Sequence, residues 1–182
     1  MKPIRRYIAA LLLIAASAMT CSAQNWLNAP KFYVGVRAGV SVTAESGYGS
    51  LFAPQGGVSV NIKVAKIPFY VETGAYYVDR GFKENWDGYS YTAHEHSITV
   101  PALISYHIYR TPQFVIQPFM GPVASLAFNG DDTSLALGSR LGVGFSFNQS
   151  YYLSLGYDYL PYRSDCGEQL LNTFYLSLGY NF

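Results

Sequence analysis

The 182-residue sequence predicts an all-β fold, an eight-stranded antiparallel up-and-down transmembrane β-barrel preceded by a cleaved signal peptide. Three observations carry that expectation. Charged residues make up only 13% of the chain and aromatic residues 16%, with 17 Tyr and 11 Phe, whereas a charged share of about 25% is usual. Beyond the amino terminus the apolar residues recur at every second position, in segment after segment, which is the period of a strand with one face against an apolar medium. The links between those segments alternate short and long.

The amino terminus reads as an address. Lys2, Arg5 and Arg6 form a positive start, Tyr7 to Met19 an apolar run, and Cys21-Ser22-Ala23 a small-residue approach to a cut before Gln24. That order is the pattern of a Sec signal peptide. The run has 13 residues, short of the roughly 20 a spanning helix requires. The expected organisation is therefore signal peptide 1–23, lead-in 24–31 and barrel 32–182. After cleavage 9 basic residues (12 less Lys2, Arg5 and Arg6) face 11 acidic ones, a balance that offers nothing to a nucleic acid. Cys166 is then the one cysteine left, so no internal disulfide is expected.

Each segment sets an apolar face against a small or polar one. The first alternates Phe32, Val34, Val36, Ala38, Val40 and Val42 with Tyr33, Gly35, Arg37, Gly39 and Ser41. The second sets Val58, Val60, Ile62 and Val64 against Gly57, Ser59, Asn61 and Lys63. The third sets Phe69, Val71, Thr73, Ala75 and Tyr77 against Tyr70, Glu72, Gly74 and Tyr76. In the fourth, Ile98, Val100, Ala102, Ile104 and Tyr106 oppose Ser97, Thr99, Pro101, Leu103, Ser105 and His107. The fifth, 113–128, alternates least cleanly, and Pro118 and Pro122 suggest a bulge or distortion there. The sixth pairs Ser139, Leu141, Val143, Phe145 and Phe147 with Gly138, Arg140, Gly142, Gly144 and Ser146. The seventh runs through Tyr151, Leu153, Leu155, Tyr157 and Tyr159 opposite Tyr152, Ser154, Gly156 and Asp158. The eighth carries Phe174, Leu176, Leu178, Tyr180 and Phe182 opposite Thr173, Tyr175, Ser177, Gly179 and Asn181.

Short links fall at 65–68, 109–112 and 148–150, and longer ones at 43–54, 81–95, 129–135 and 161–171. Outer-membrane barrels have short periplasmic turns and longer outer loops, so with both termini periplasmic every long link lands outside. Arg37, Lys63, Glu72, Arg140 and Asp158 all fall on the polar face and are expected to pair inside as a lumen charge network, because eight strands leave an interior just wide enough for side chains. A soluble ligand-carrying barrel would place its charges outside instead. Phe32, Phe69, Tyr106, Phe114, Phe147, Tyr151, Tyr180 and Phe182 are expected at the periplasmic boundary, and Tyr77, Tyr157, Tyr159 and Phe174 at the outer one.

The closing strand, with Phe174, Leu176, Leu178, Tyr180 and terminal Phe182, resembles the carboxy-terminal assembly signal of outer-membrane barrels. Phe69-Tyr-Val-Glu-Thr-Gly, Arg80-Gly81, Ile98-Thr-Val-Pro-Ala-Leu-Ile-Ser-Tyr and Pro118-Phe-Met-Gly-Pro resemble the PorT-like outer-membrane β-barrel family across most of residues 30–182. The resemblance implies a small OmpA/OmpX-type barrel in the Gram-negative outer membrane. Its partners would be membrane lipids, lipopolysaccharide and the barrel-assembly machinery, and its state a monomer. PorT itself serves a protein-secretion system, so an accessory role in secretion is one implied function.

One cluster invites a chemical reading. His94 and His96 share a strand face while Glu95 and Ser97 share the other, so the serine is turned away from the imidazole that nucleophilic catalysis needs beside it. A lipid A-modifying enzyme is thus the lesser reading, and no cofactor is expected. The two histidines could hold a metal only with further ligands, for which Glu84, Asp87, Asp131 and Asp132 are the loop acids at hand. The preferred expectation is a structural or surface-interaction barrel, its lumen plugged and its four loops turned outward.

Overall fold

In a computed structural model, the described residues are 31–45, 49–64, 67–86, 89–129, 132–164 and 167–182. The expected signal peptide, the expected lead-in up to residue 30 and Cys166 lie outside them. Nine strand segments follow one another: β1 Phe32–Glu45, β2 Gly49–Lys63, β3 Phe69–Trp86, β4 Tyr89–Tyr106, β5 Ile108–Thr111, β6 Phe114–Asn129, β7 Asp132–Phe147, β8 Tyr151–Ser164 and β9 Gly167–Asn181. All pair antiparallel with their neighbours. β1 closes on β9, with Val40 opposite Leu176, and β4 closes on β6. The ring has eight walls, because β5 continues β4 beyond a one-residue break at His107, whose amide donates to the Pro68 carbonyl instead.

The alternation is borne out by what each face meets. Val36, Val58, Val71, Ile104, Met120, Leu141, Leu155 and Leu178, one from each wall, all stand exposed on the outside. The buried side chains are mostly polar: Ser59, Asn61, Thr99, Asp158 and Thr173 are almost wholly enclosed. A continuous apolar belt of this extent is incompatible with water and suits lipid, which also explains why every wall must be hydrogen-bonded on both sides.

One expectation is corrected, and the distortion expected at the prolines of the fifth segment is found on one side of its strand. Most of the residues assigned to long links are strand: β1 and β2 still pair at Thr43 and Leu51, β3 and β4 pair to Trp86 and Tyr89, β6 and β7 to Asn129 and Asp132, β8 and β9 to Ser164 and Gly167. Backbone amides leaving the membrane are still best satisfied by a ladder, so the strands continue as hairpins. In β6 the prolines make no bulge against β7, where pairing runs unbroken from Phe114 to Asn129. The lapse is on the other side, between Pro101–Val123 and Ile104–Met120, opposite Pro122, which has no N–H to give.

At the short-turn end, Asn148 and Gln149 take φ of 50° and 63° between β7 and β8. This is the backbone sign of a type I′ turn, which suits Asn-Gly better than Asn-Gln. Gln149→Gly is expected to raise stability by about 0.5–1 kcal/mol, read as a shift of the denaturation midpoint in detergent.

Candidate functional site

The interior is organised around one carboxylate. Asp158 on β8 accepts from Arg140 Nε at 2.6 Å and from Arg140 Nη2 at 2.8 Å, a two-pronged pair across the β7–β8 ladder. Arg80 on β3 reaches across the lumen to the same carboxylate, Nη2 to Oδ2 at 3.4 Å. Its other hydrogen bonds go to Ser97 at 2.6 Å, Ser125 at 2.7 Å and Thr99 at 3.2 Å. Arg80, Arg140 and Asp158 are at most 4% exposed. Glycines on the inner face make room for this knot: a Cβ on Gly156 would strike the Tyr175 ring, whose face lies 4.7 Å from the Arg140 guanidinium.

Towards the short-turn end Arg37 lies over the Tyr152 ring at 4.1 Å and donates to Asn181 Oδ1 at 2.7 Å. Glu72 accepts from Tyr76 Oη at 3.3 Å. Between these groups and Arg140 the cavity measures about 10 Å³, room for about one water. Below it the interior widens into a cavity of about 280 Å³ lined by Tyr33, Tyr70, His107, Tyr109, Gln117 and Asn181. The Tyr70 and His107 rings stack there at 3.9 Å.

Of the charges read from the sequence, Arg37, Glu72, Arg140 and Asp158 are inside and buried. Lys63 is the last residue of β2, partly exposed at the rim. Arg80 is the member that the alternation does not supply, since the pattern fades near Tyr77 and Arg80-Gly81 reads as a corner. Extending the period-two count by three residues places Arg80 on the face of Glu72 and Tyr76.

The histidine cluster sits at the hairpin end, on the outside. Ser97 is inside, donating to the Val78 carbonyl at 2.9 Å and receiving Arg80, so it cannot meet His94 or His96. The partner of His94 is Asp79 on β3, its carboxylate 3.1 Å and 3.2 Å from Nδ1. The loop acids Glu84, Asp87, Asp131 and Asp132 have side chains outside the described residues. Among the described residues no group of three or more His, Cys, Asp or Glu is arranged to hold a metal ion.

Several of the outward rings named from the sequence meet in pairs. At the short-turn end Phe69 meets Tyr106 at 4.9 Å, Phe114 meets Phe147 at 5.0 Å and Tyr151 meets Tyr180 at 5.7 Å. Midway along β8 and β9, Tyr157 meets Phe174 at 4.7 Å.

Residues 8–182 match the family model described as the outer membrane protein beta-barrel domain. No curated protein matches the chain. Among solved structures, Neisserial surface protein A is similar at a TM-score of 0.53 and 16% identity, over 84% of this chain and 96% of that one. OprG of Pseudomonas aeruginosa is similar at 0.50 and 14% identity, over 83% and 95%. A major outer membrane protein of Thermus thermophilus is similar at 0.50 and 15% identity, over 84% and 100%. At these identities the likeness is one of fold.

Proposed function

Since the chain belongs to the outer membrane protein β-barrel domain family, we propose that it is a sealed, non-conducting barrel of the outer membrane that acts through the hairpins it holds above the surface. The observation behind this reading is the Arg80–Asp158–Arg140 knot, with a cavity of about 10 Å³ next to it. A hydrated ion cannot pass such a section without breaking buried charge pairs, and that costs several kcal/mol.

In this reading the short turns and both termini face the periplasm, and the four hairpins face outward among lipopolysaccharide. The signal peptide delivers the chain, and Phe174, Leu176, Leu178, Tyr180 and Phe182 on the closing strand present it to the barrel-assembly machinery. β9 suits such presentation, because these apolar residues all point outward and its partner β1 closes the ring. The barrel works as a monomer, in keeping with a ring of eight walls that closes within one chain through β1–β9 and β4–β6.

Reconstituted into planar bilayers, the purified protein is expected to give no conductance steps at physiological salt. Steady, reproducible steps from the wild-type chain would overturn the sealed-barrel reading.

A further inference from the structure

Outward side chains of this barrel are mainly apolar, yet near the hairpin end β3 and β4 bring Asp79, His94, His96 and Tyr77 together on the outside. Asp79 is held to 7% exposure while the side chains of His94 and His96 are 48% and 56% exposed. The carboxylate is thus covered by the imidazoles, and the imidazoles face out.

We propose that His94 and His96 chelate one divalent transition-metal ion, with Zn(II) the reference case, through their Nε2 atoms. Residues two apart on a strand point the same way, and these rings stand nearly parallel, 22° apart with centroids separated by 6.5 Å. Two bonds of about 2.0–2.1 Å to one ion bring the imidazole nitrogens within about 4 Å of each other, so the exposed rings must swing together from their 6.5 Å separation when the ion binds.

The other ring nitrogens are already engaged. His94 Nδ1 faces both Asp79 oxygens at 3.1 Å and 3.2 Å, and His96 Nδ1 lies 2.8 Å from Tyr77 Oη. A carboxylate accepting from Nδ1–H fixes the tautomer and directs the Nε2 lone pair outward, as in carboxylate–histidine–metal arrangements. A metal at His96 Nε2 selects the tautomer whose Nδ1–H donates to Tyr77.

Imidazole donors suit zinc, copper and nickel rather than calcium or magnesium. With two protein ligands the remaining positions belong to solvent, so the affinity is modest and exchange is fast. The site lies on the outside of the wall and is independent of the sealed interior.

The test uses the full, untagged barrel in detergent micelles, with heat-modifiable migration checked for every variant. Calorimetric titration with Zn(II) is expected to show one ion per barrel, and Cu(II) electron paramagnetic resonance to show two nitrogen couplings. Folded His94→Gln/His96→Gln protein loses both signals. Asp79→Asn keeps both imidazoles and weakens binding about 10–100-fold. The proposal is overturned by wild-type protein that binds no ion, by a double variant that binds as well as wild type, or by an Asp79→Asn variant with unchanged affinity.

Discussion

Replacing Asp158 with alanine is expected to lower the unfolding free energy of the barrel by about 3–5 kcal/mol, measured by equilibrium denaturation in lipid vesicles. The size follows from what the substitution leaves behind. Asp158 is the acceptor shared by Arg140 and Arg80, all three almost fully buried. Without it two guanidiniums face each other in a section with almost no room for water. Arg80 keeps its hydroxyl partners on β4 and β6, but Arg140 keeps only the faces of Tyr175 and Tyr76 and the field of Glu72 across the small cavity. Adding Arg140→Met to the Asp158→Ala chain is therefore expected to recover part of the loss, because it removes the more stranded charge. A loss below about 1 kcal/mol, within the range of an exposed ion pair, would mean that the interior is wet and that the pairs do not seal it.

Leu155→Arg is expected to cost about 2–4 kcal/mol, the range for a cation on the lipid face near the bilayer midplane. Leu155 is 48% exposed, opposite Val143 on one side and Leu176 on the other. It lies midway between Tyr151 and Tyr159, which face the same way and are expected at the two boundaries. Were the outer face in water, the same change would fall within about 0.5 kcal/mol. Thr133→Arg, near the hairpin end of β7, serves as the depth control with an expected cost of about 0–1 kcal/mol. Equal costs at Leu155 and Thr133 would contradict a membrane lying between the two rings of aromatic residues.

The walls are legible in the sequence because a membrane barrel writes two solvents into one period of two. Where the inner face is polar or small, as along β1, β7 and β9, the alternation is unmistakable. β6 reads poorly because its inner face carries Val115, Phe119 and Val123, which fill the lumen where glycines and charges do so elsewhere. Strand ends are hidden for another reason. Past the membrane a hairpin needs no apolar face, so the pattern stops at Tyr77 while the ladder continues to Trp86.

That shortfall conceals both functional clusters. Arg80, the third member of the interior knot, lies beyond the point where the alternation of its strand fades. Asp79, the partner of His94, is invisible for want of register: nothing in the order of residues says that position 79 lies beside 94 and 96. Loop acids are the nearest candidates along the chain, whereas the true partner stands on the neighbouring strand.

In the proposed sealed barrel, adjacent residues on one strand face different surroundings, lipid outside and a packed polar interior inside. Single tryptophans at Leu155 and at Ser154, in a chain with Trp26 and Trp86 replaced by phenylalanine, test this directly in vesicles of lipids brominated at mid-chain. The tryptophan at 155 is expected to be strongly quenched and that at 154 only weakly, with Ser154→Trp folding less well because its ring must enter the packed lumen beside Ser177. Equal quenching at the two positions in folded protein, or stronger quenching at 154, would contradict a barrel with lipid outside and a sealed interior.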